Sequence, residues 1–274
     1  MTANRFLETA RPRLFGHRGA CGLRPENTLD SFAAALEDGA SILELDVRAS
    51  ADGEVVVFHD DTLERTTDGA GPVSAKPLSE LRKLDAGYKF RDADGDFTYR
   101  GKGIRIPTLA EVLDSFPNAP LNVEIKQSEP RLEPTVVALL DEFAARDRVL
   151  LAAGDHTIME RIRQAAPHHL TSFSGAEVAD FLMRCPTGDF DGYKPPAPAL
   201  QVPRTYQDVE VVSATTITRA HEQGLEIHVW TVNEETEMEM LLELGVDGIM
   251  SDYPGRAAYV FSRRGLGRRT RGLD

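Results

Sequence analysis

The chain has 274 residues, a net charge of −13, and 41% apolar and 27% charged residues. That length suits one large domain, and the acidic balance argues against a nucleic-acid partner or an anionic membrane surface. No apolar run of about 18 residues marks a stable membrane insertion, and the N-terminal stretch lacks the apolar core of a signal peptide. Cys21 and Cys185 stand outside any metal-type spacing. Together these features lead us to expect a cytoplasmic protein with two reduced thiols.

Short apolar runs then alternate with helical patterns. "RLFGH" (13–17) reads as a first strand, and "NTLDSFAAALEDGA" as a helix capped at Asn27 that stops near Gly39. "ILELDV" (42–47) and "EVVVFH" (54–59) follow with no room between them for a crossover helix. Asp52-Gly53 predicts a two-residue hairpin turn there, which sets His59 opposite Asp46. Residues 60–106 do not read as strand–helix units. This Gly- and Asp-rich insertion is expected to cap the active-site mouth with Tyr88, Phe90, Phe97 and Tyr99. "TLAEVLDSF" opens as a capping box, Thr108 with Glu111. Strand runs resume at "LNVEIK" (121–126), "VLLAA" (149–153), "LTSFS" (170–174), "ALQVP" (199–203), "EIHVWTV" (226–232) and "DGIMS" (247–251), with one helix ending on Gly245. With 54–59 set aside as a hairpin arm, eight strands remain, the number of a (β/α)8 TIM barrel. An open doubly wound sheet would want a Gly-rich GxGxxG that is missing. The organisation expected is one barrel domain over 1–262, with its insertion at about 60–106. A basic tail at 263–274 is expected to be disordered.

Side chains alternate along a strand. Glu44 and Asp46 share one face of 42–47, and Asn122, Glu124 and Lys126 one face of 121–126, while the apolar residues share the other faces. In a barrel the apolar sets pack against helices and the acids point inward. Inward carboxylates near the C-terminal ends of strands read as catalytic groups or metal ligands. All-oxygen ligation favours a hard cation, Mg²⁺ or Ca²⁺, over Zn²⁺. The bland alternative is a buried ion-pair network around Lys126. His17 ends the first strand and His59 the hairpin arm, so two imidazoles stand beside the acids and suit general acid–base work. His228 shares a face with Trp230 but lies deeper in the barrel and is given no role.

The segments "GHRGACGLRPENTLDSFAAALEDGA", "LELDVRASADGEVVVFHDDTLERTT", "NVEIK", "VWTVN" and "GVDGIMSD" together resemble the glycerophosphodiester phosphodiesterase family, over His17 to about Pro254. The resemblance implies a TIM barrel that hydrolyses small-molecule glycerophosphodiesters to glycerol 3-phosphate and an alcohol with a divalent cation. It implies Glu44, Asp46 and Glu124 as metal ligands, and His17 and His59 as the acid/base pair. It further implies Arg18 and Lys126 on the phosphate and Trp230 in the pocket wall. Region 175–212 follows no usable motif, so the alcohol side stays open. The rival readings are a lysophospholipase D-like phosphodiesterase and a non-catalytic binding barrel.

Overall fold

Glycines and caps punctuate the chain into alternating strands and helices. The computed structural model describes residues 4–266, so the basic tail beyond them lies outside the described residues. The first half of the barrel contains β1 (Arg13–Gly16), α1 (Leu29–Glu37), β2 (Ile42–Ala49), β3 (Val55–Val57), α2 (Leu78–Leu81), α3 (Leu109–Ser115), β4 (Leu121–Ile125), α4 (Glu133–Glu142), β5 (Val149–Ala152) and α5 (His156–Ala165). The second half contains β6 (Leu170–Thr171), α6 (Gly175–Arg184), β7 (Ala199–Pro203), β8 (Thr205–Tyr206), β9 (Val209–Glu210), α7 (Ala214–Glu222), β10 (Glu226–Trp230), α8 (Glu235–Leu244), β11 (Gly248–Ser251) and α9 (Pro254–Arg263). The parallel strands run in the order β6-β5-β4-β2-β1-β11-β10-β7, and β3 pairs antiparallel with β2. Phe173 N donates to Ala199 O at 3.2 Å, bringing the two ends of this order together. The result is the nearly closed eight-stranded barrel that the strand count predicts.

Two apolar layers lie outside the strands. One joins α1, α3, α4 and α5 to β2, β4 and β5; the other joins α6 to α9 to β7, β10 and β11. Thr108 and Glu111 make the expected capping box, and α8 ends on Gly245 in the left-handed conformation, φ +93°. Two local expectations are corrected. The cap of α1 is Thr28, whose hydroxyl accepts from Ser31 N at 3.2 Å. Asn27 takes φ +56° instead and turns its side chain into the barrel. In the hairpin, Gly53 N donates to Ser50 O and Gly53 takes φ +83°. The loop is therefore the three residues 51–53, with glycine in the left-handed slot, and not a two-residue turn. That extra residue shifts the register. Val47 pairs with Val57, and Phe58 N, not His59, meets Asp46 O at 2.9 Å.

The insertion builds a small core of its own against the hairpin arm, with Leu63, Val73 and Leu81 buried under Val56 and Phe58. Its aromatics pair with one another and with arginines. Phe90 meets Tyr99 edge-on at 5.2 Å, and Arg100 lies over Tyr88 and Phe97.

The barrel floor is closed by a buried ion pair. Arg13, 1% exposed, donates through two nitrogens to Glu226 at 2.8 Å each, and His228 Nε2 lies 2.9 Å from Glu226 Oε2. Burial alone would raise the Glu226 carboxyl, but the bonds to His228 and Arg13 outweigh it and hold it at about 2. Glu226→Ala strands the Arg13 charge and should cost about 3–5 kcal/mol at pH 7 by urea denaturation. Because the carboxyl is depressed in the fold, its stabilisation is complete above the ordinary value of 4.5 and is lost as pH falls toward about 2. The gap between the variant and the parent should therefore shrink at pH 3.

Candidate active site

The register between β2 and β4 sets the centre of the site. Glu44 pairs with Asn122 and Asp46 with Glu124. Because residues i and i+2 share a face, Asp46 and Glu124 stand side by side with Glu44 one layer below. Ligand oxygens of all three carboxylates come within 4.8 Å of one another. Lys126 Nζ bridges Glu124 Oε1 at 2.8 Å and Asp46 Oδ1 at 3.1 Å. Asn122 instead accepts from Gln201 at 2.8 Å and stays out of the cluster.

Arg18 follows β1 with φ +50°, a conformation that costs a non-glycine residue about 1–3 kcal/mol. The turn aims its N–H at Glu44 Oε2, 2.8 Å away. Its guanidinium bonds Glu26 at 2.9 Å. Arg18 Nε lies 3.3 Å from Asp46 Oδ2, close enough for an ion pair but poorly aligned for a hydrogen bond, so this buried donor has no hydrogen-bond acceptor. Asn27 completes the support of Asp46, donating from Nδ2 at 2.9 Å and accepting from Asp46 N at 3.3 Å.

The charges in this cluster do not balance. Three carboxylates face Lys126 and an arginine already shared with Glu26. Burial first, and then the Asp46 charge, pushes the Glu44 carboxyl up to about 7. Asp46 shifts the other way: burial opposes ionisation, but Lys126 and Arg18 overcome it and keep the carboxyl low. Three oxygen donors, two of them buried, with surplus negative charge are what a hard divalent cation requires, so the residues fit one.

The two histidines are held alike. His17 Nδ1 is 2.7 Å from Asp252 Oδ1, and His59 Nδ1 is 2.6 Å from Asp60 Oδ1. Each carboxylate accepts a hydrogen bond from the Nδ1–H and leaves Nε2 free for chemistry. Burial would lower the His17 pKa, but the bond to Asp252 and the Glu44 charge outweigh it, so His17 is raised. Asp252 is fixed at both oxygens, since Asn233 donates to Oδ2 at 2.7 Å and Cys21 Sγ meets Oδ1 at 2.8 Å. Despite burial, the His17 bond holds Asp252 at about 2. His17, Cys21 and Asp252 could themselves bracket an ion, but burial raises the Cys21 thiol, and a thiol that stays protonated is a poor ligand.

All eight predicted site residues line one cavity of ≈ 680 Å³ at the C-terminal ends of the strands. His17, Arg18, Glu44, Asp46, His59, Glu124 and Lys126 form one wall, and Trp230 stands on the other. No residue of 60–106 lines that cavity; Phe90 and Tyr99 of the insertion face a separate crevice beside Arg24 and Tyr253. The insertion reaches the rim through Arg65 instead, which bonds Asp60 at 2.5 Å and Glu26 at 2.6 Å. Sequence reasoning missed Glu26, Asn27, Asp60, Arg65, Asn233 and Asp252 as site residues. Asp252 could have been found, since an acid just beyond a barrel strand's C-terminal end meets the criterion that picked out the others.

Comparison with known proteins agrees with this geometry. Residues 17–256 match the model of the "Glycerophosphoryl diester phosphodiesterase family". A "Glycerophosphodiester phosphodiesterase" of Bacillus altitudinis is 34% identical over 255 residues, 90% of this chain and 97% of the relative. One from Caldanaerobacter subterraneus subsp. tengcongensis is 31% identical, over 88% and 94% of the two chains. Among solved structures, an Oleispira antarctica phosphodiesterase in complex with the product sn-glycerol-3-phosphate superimposes with a TM-score of 0.72 at 25% identity, over 92% of this chain and 97% of that one. With its barrel, its rim of acids and histidines, and a family match across nearly the whole length, the chain belongs to the glycerophosphoryl diester phosphodiesterase family.

Proposed function

We propose that the chain hydrolyses glycerophosphodiesters to sn-glycerol 3-phosphate and an alcohol. In this reading Glu44, Asp46 and Glu124 hold a divalent cation, Mg²⁺ or Ca²⁺, and His17 and His59 are the acid/base pair. The observation that carries it is the surplus-negative carboxylate cluster flanked by two carboxylate-tethered imidazoles in one cavity. The Oleispira neighbour's product complex supports the product assigned. A purely structural ion-pair network would have no use for two histidines with free Nε2 atoms, and a non-catalytic barrel would have no need of the complete set.

The bound cation would supply positive charge to the non-bridging phosphate oxygens and lower the cost of bringing an oxygen nucleophile to an anion. The protein's own groups do the rest. Arg18 offers guanidinium charge and Lys126 a point charge at the cavity wall, so the diester anion is oriented between them. One imidazole takes the proton from the attacking oxygen as the new P–O bond forms. The other returns a proton to the alkoxide as the old P–O bond breaks. Asp252 and Asp60 hold both rings with Nε2 toward the phosphate.

Chelation with EDTA should abolish glycerol 3-phosphate release from glycerophosphocholine, and Mg²⁺ or Ca²⁺ should restore it; full activity in exhaustive EDTA would refute the cation. Glu44→Gln should weaken cation binding in calorimetry while the circular dichroism spectrum is kept.

His17→Ala and His59→Ala should each lower kcat by at least about 10²-fold with little loss of stability. The double variant should lose less than the product of the single losses, since both groups serve one reaction. Near parental kcat in either single variant removes that histidine from the mechanism.

Asp252→Asn removes the charge behind His17 and should lower kcat by about 10–100-fold, with KM changed far less. A change confined to KM would mean that Asp252 shapes binding and not the imidazole.

A further inference from the structure

The two imidazoles of the site are tethered alike, but their tethers are braced differently. Asp252, behind His17, is fixed by groups of the barrel itself: Asn233 holds Oδ2 at 2.7 Å and Cys21 Sγ meets Oδ1 at 2.8 Å. Asp60, behind His59, has no such support. Among the described residues, its carboxylate accepts from His59 and from Arg65 alone. Arg65 Nε donates to Oδ2 at 2.5 Å and Nη2 to Oδ1 at 3.0 Å, a two-pronged contact that suits a planar guanidinium.

Asp60 needs that brace. Neighbouring side chains on an extended strand point to opposite faces, so a residue cannot hold the ring next to it while the strand continues. β3 ends at Val57, and the chain bends at Asp60. The main chain of His59 is secured from the barrel side, where Arg48 Nε donates to His59 O at 2.7 Å and Phe58 N to Asp46 O at 2.9 Å. These bonds fix where the ring is attached and not how it is turned. The turn is set by the bond from Nδ1 to Asp60, at 2.6 Å, and by packing from behind. There Thr66, Ala86 and Ile106 narrow the space at Phe58 and His59 to ≈ 10 Å³, about the room of one water. Both restraints come from the insertion.

Arg65 is fixed in turn at its other edge. Nη1 and Nη2 donate to Glu26 at 2.6 and 2.7 Å, and Glu26 accepts from Arg18 at 2.9 Å. One guanidinium thus ties the loop after β3 to the loop after β1. Arg65 itself lines no part of the cavity that holds the acids and imidazoles.

We infer that Arg65 is a positioning residue for the reaction: through Asp60 it holds the His59 ring with Nε2 toward the phosphate, and this is what the 60–106 insertion contributes to catalysis. This rests on the hydrolytic reading above and adds to it a group that touches no substrate. Loss of angular control over a proton-transfer group is felt in turnover more than in binding, because other side chains hold the substrate.

Arg65→Ala should lower kcat for glycerophosphocholine by about 10–100-fold, with KM changed far less. Arg65→Lys should recover little of it, since an ammonium is a point charge and does not hold both oxygens of Asp60. The Arg65 side chain is 48% exposed, so guanidinium chloride, well below denaturing concentration, should restore part of the kcat lost in Arg65→Ala. Sodium chloride at the same ionic strength should not. Adding Arg65→Ala to Asp60→Ala should cost little beyond Asp60→Ala alone, because the two act in series on one ring. Parental kcat in Arg65→Ala, a loss confined to KM, a guanidinium response no larger than that to sodium chloride, or full multiplication of the two losses would each overturn the inference. Should the alanine variant not fold, Arg65→Gln carries the same kinetic expectations, since one amide reaches only one oxygen. A histidine ¹⁵N spectrum reads the ring without turnover. The parent should show a low-field His59 Nδ1–H, assigned by its loss in His59→Gln. It should vanish in Arg65→Ala while that of His17 stays; an unchanged His59 signal would overturn the clamp. If the parent cleaves no glycerophosphodiester, the hydrolytic reading fails, and the spectrum still decides whether Arg65 holds the ring.

Discussion

Everything at the mouth of this barrel follows from holding three carboxylates within 4.8 Å on two neighbouring strands. At that spacing each pair of charges repels by about 3–4 kcal/mol at an effective dielectric of about 20. The strands cannot relieve this, because the parallel register of β2 and β4 sets Asp46 beside Glu124. Relief comes from groups the turns deliver. Lys126 follows on the same face of the chain as Glu124, and Arg18 is brought in by a left-handed turn after β1. Neither removes the surplus, and burial together with the Asp46 charge raises the Glu44 carboxyl.

The same electrostatics explains the insertion. From Asp46 a chain of alternating charges runs through Arg18, Glu26, Arg65 and Asp60 to the His59 ring, with each contact at 3.3 Å or less. Arg65 is the link that 60–106 contributes. It neutralises Glu26 and Asp60 together, which leaves Arg18 freer to serve Asp46, and keeps Asp60 ionised behind its histidine. The insertion thus supports the catalytic rim from the side. Its Tyr88 and Phe97 are spent on cation–π contacts with its own arginines.

What was legible in the sequence was what has a local period. The alternation in "ILELDV" and "LNVEIK" placed Glu44, Asp46, Glu124 and Lys126 inward, and the cycling of strands and helices counted out the barrel. What was not legible depended on single backbone angles or on distant partners. Asp52-Gly53 is compatible with two loop lengths, both of which put the glycine at positive φ, and the pairing of Val47 with Val57 selects the longer one, moving His59 by one position. Asn27 and Thr28 are both good caps. The choice of Thr28 is made by Asp46, which needs Asn27 for itself. Arg65 lies in the chain far from Glu26, its partner in the fold, and no spacing connects them; Asp252 is legible at its strand end, but not as the partner of His17.

The order of strands also divides the work of the molecule. Apart from Asp252, which follows β11, the charged groups of the site come from β1 to β4 and the loops between them; those on β2 and β4 are backed by one outer apolar layer. The uncharged wall comes mainly from α6, β7, the small hairpin and β10, backed by the other layer. Side chains in separate packing layers with no shared partners perturb stability nearly independently. A change on α6 or in the hairpin can therefore alter the uncharged wall with little effect on the carboxylates. The charged half has no such freedom, because each of its groups compensates another. Region 175–212, which follows no motif, supplies much of the uncharged wall, and its Val178 and Leu182 line the cavity while packing against the second apolar layer.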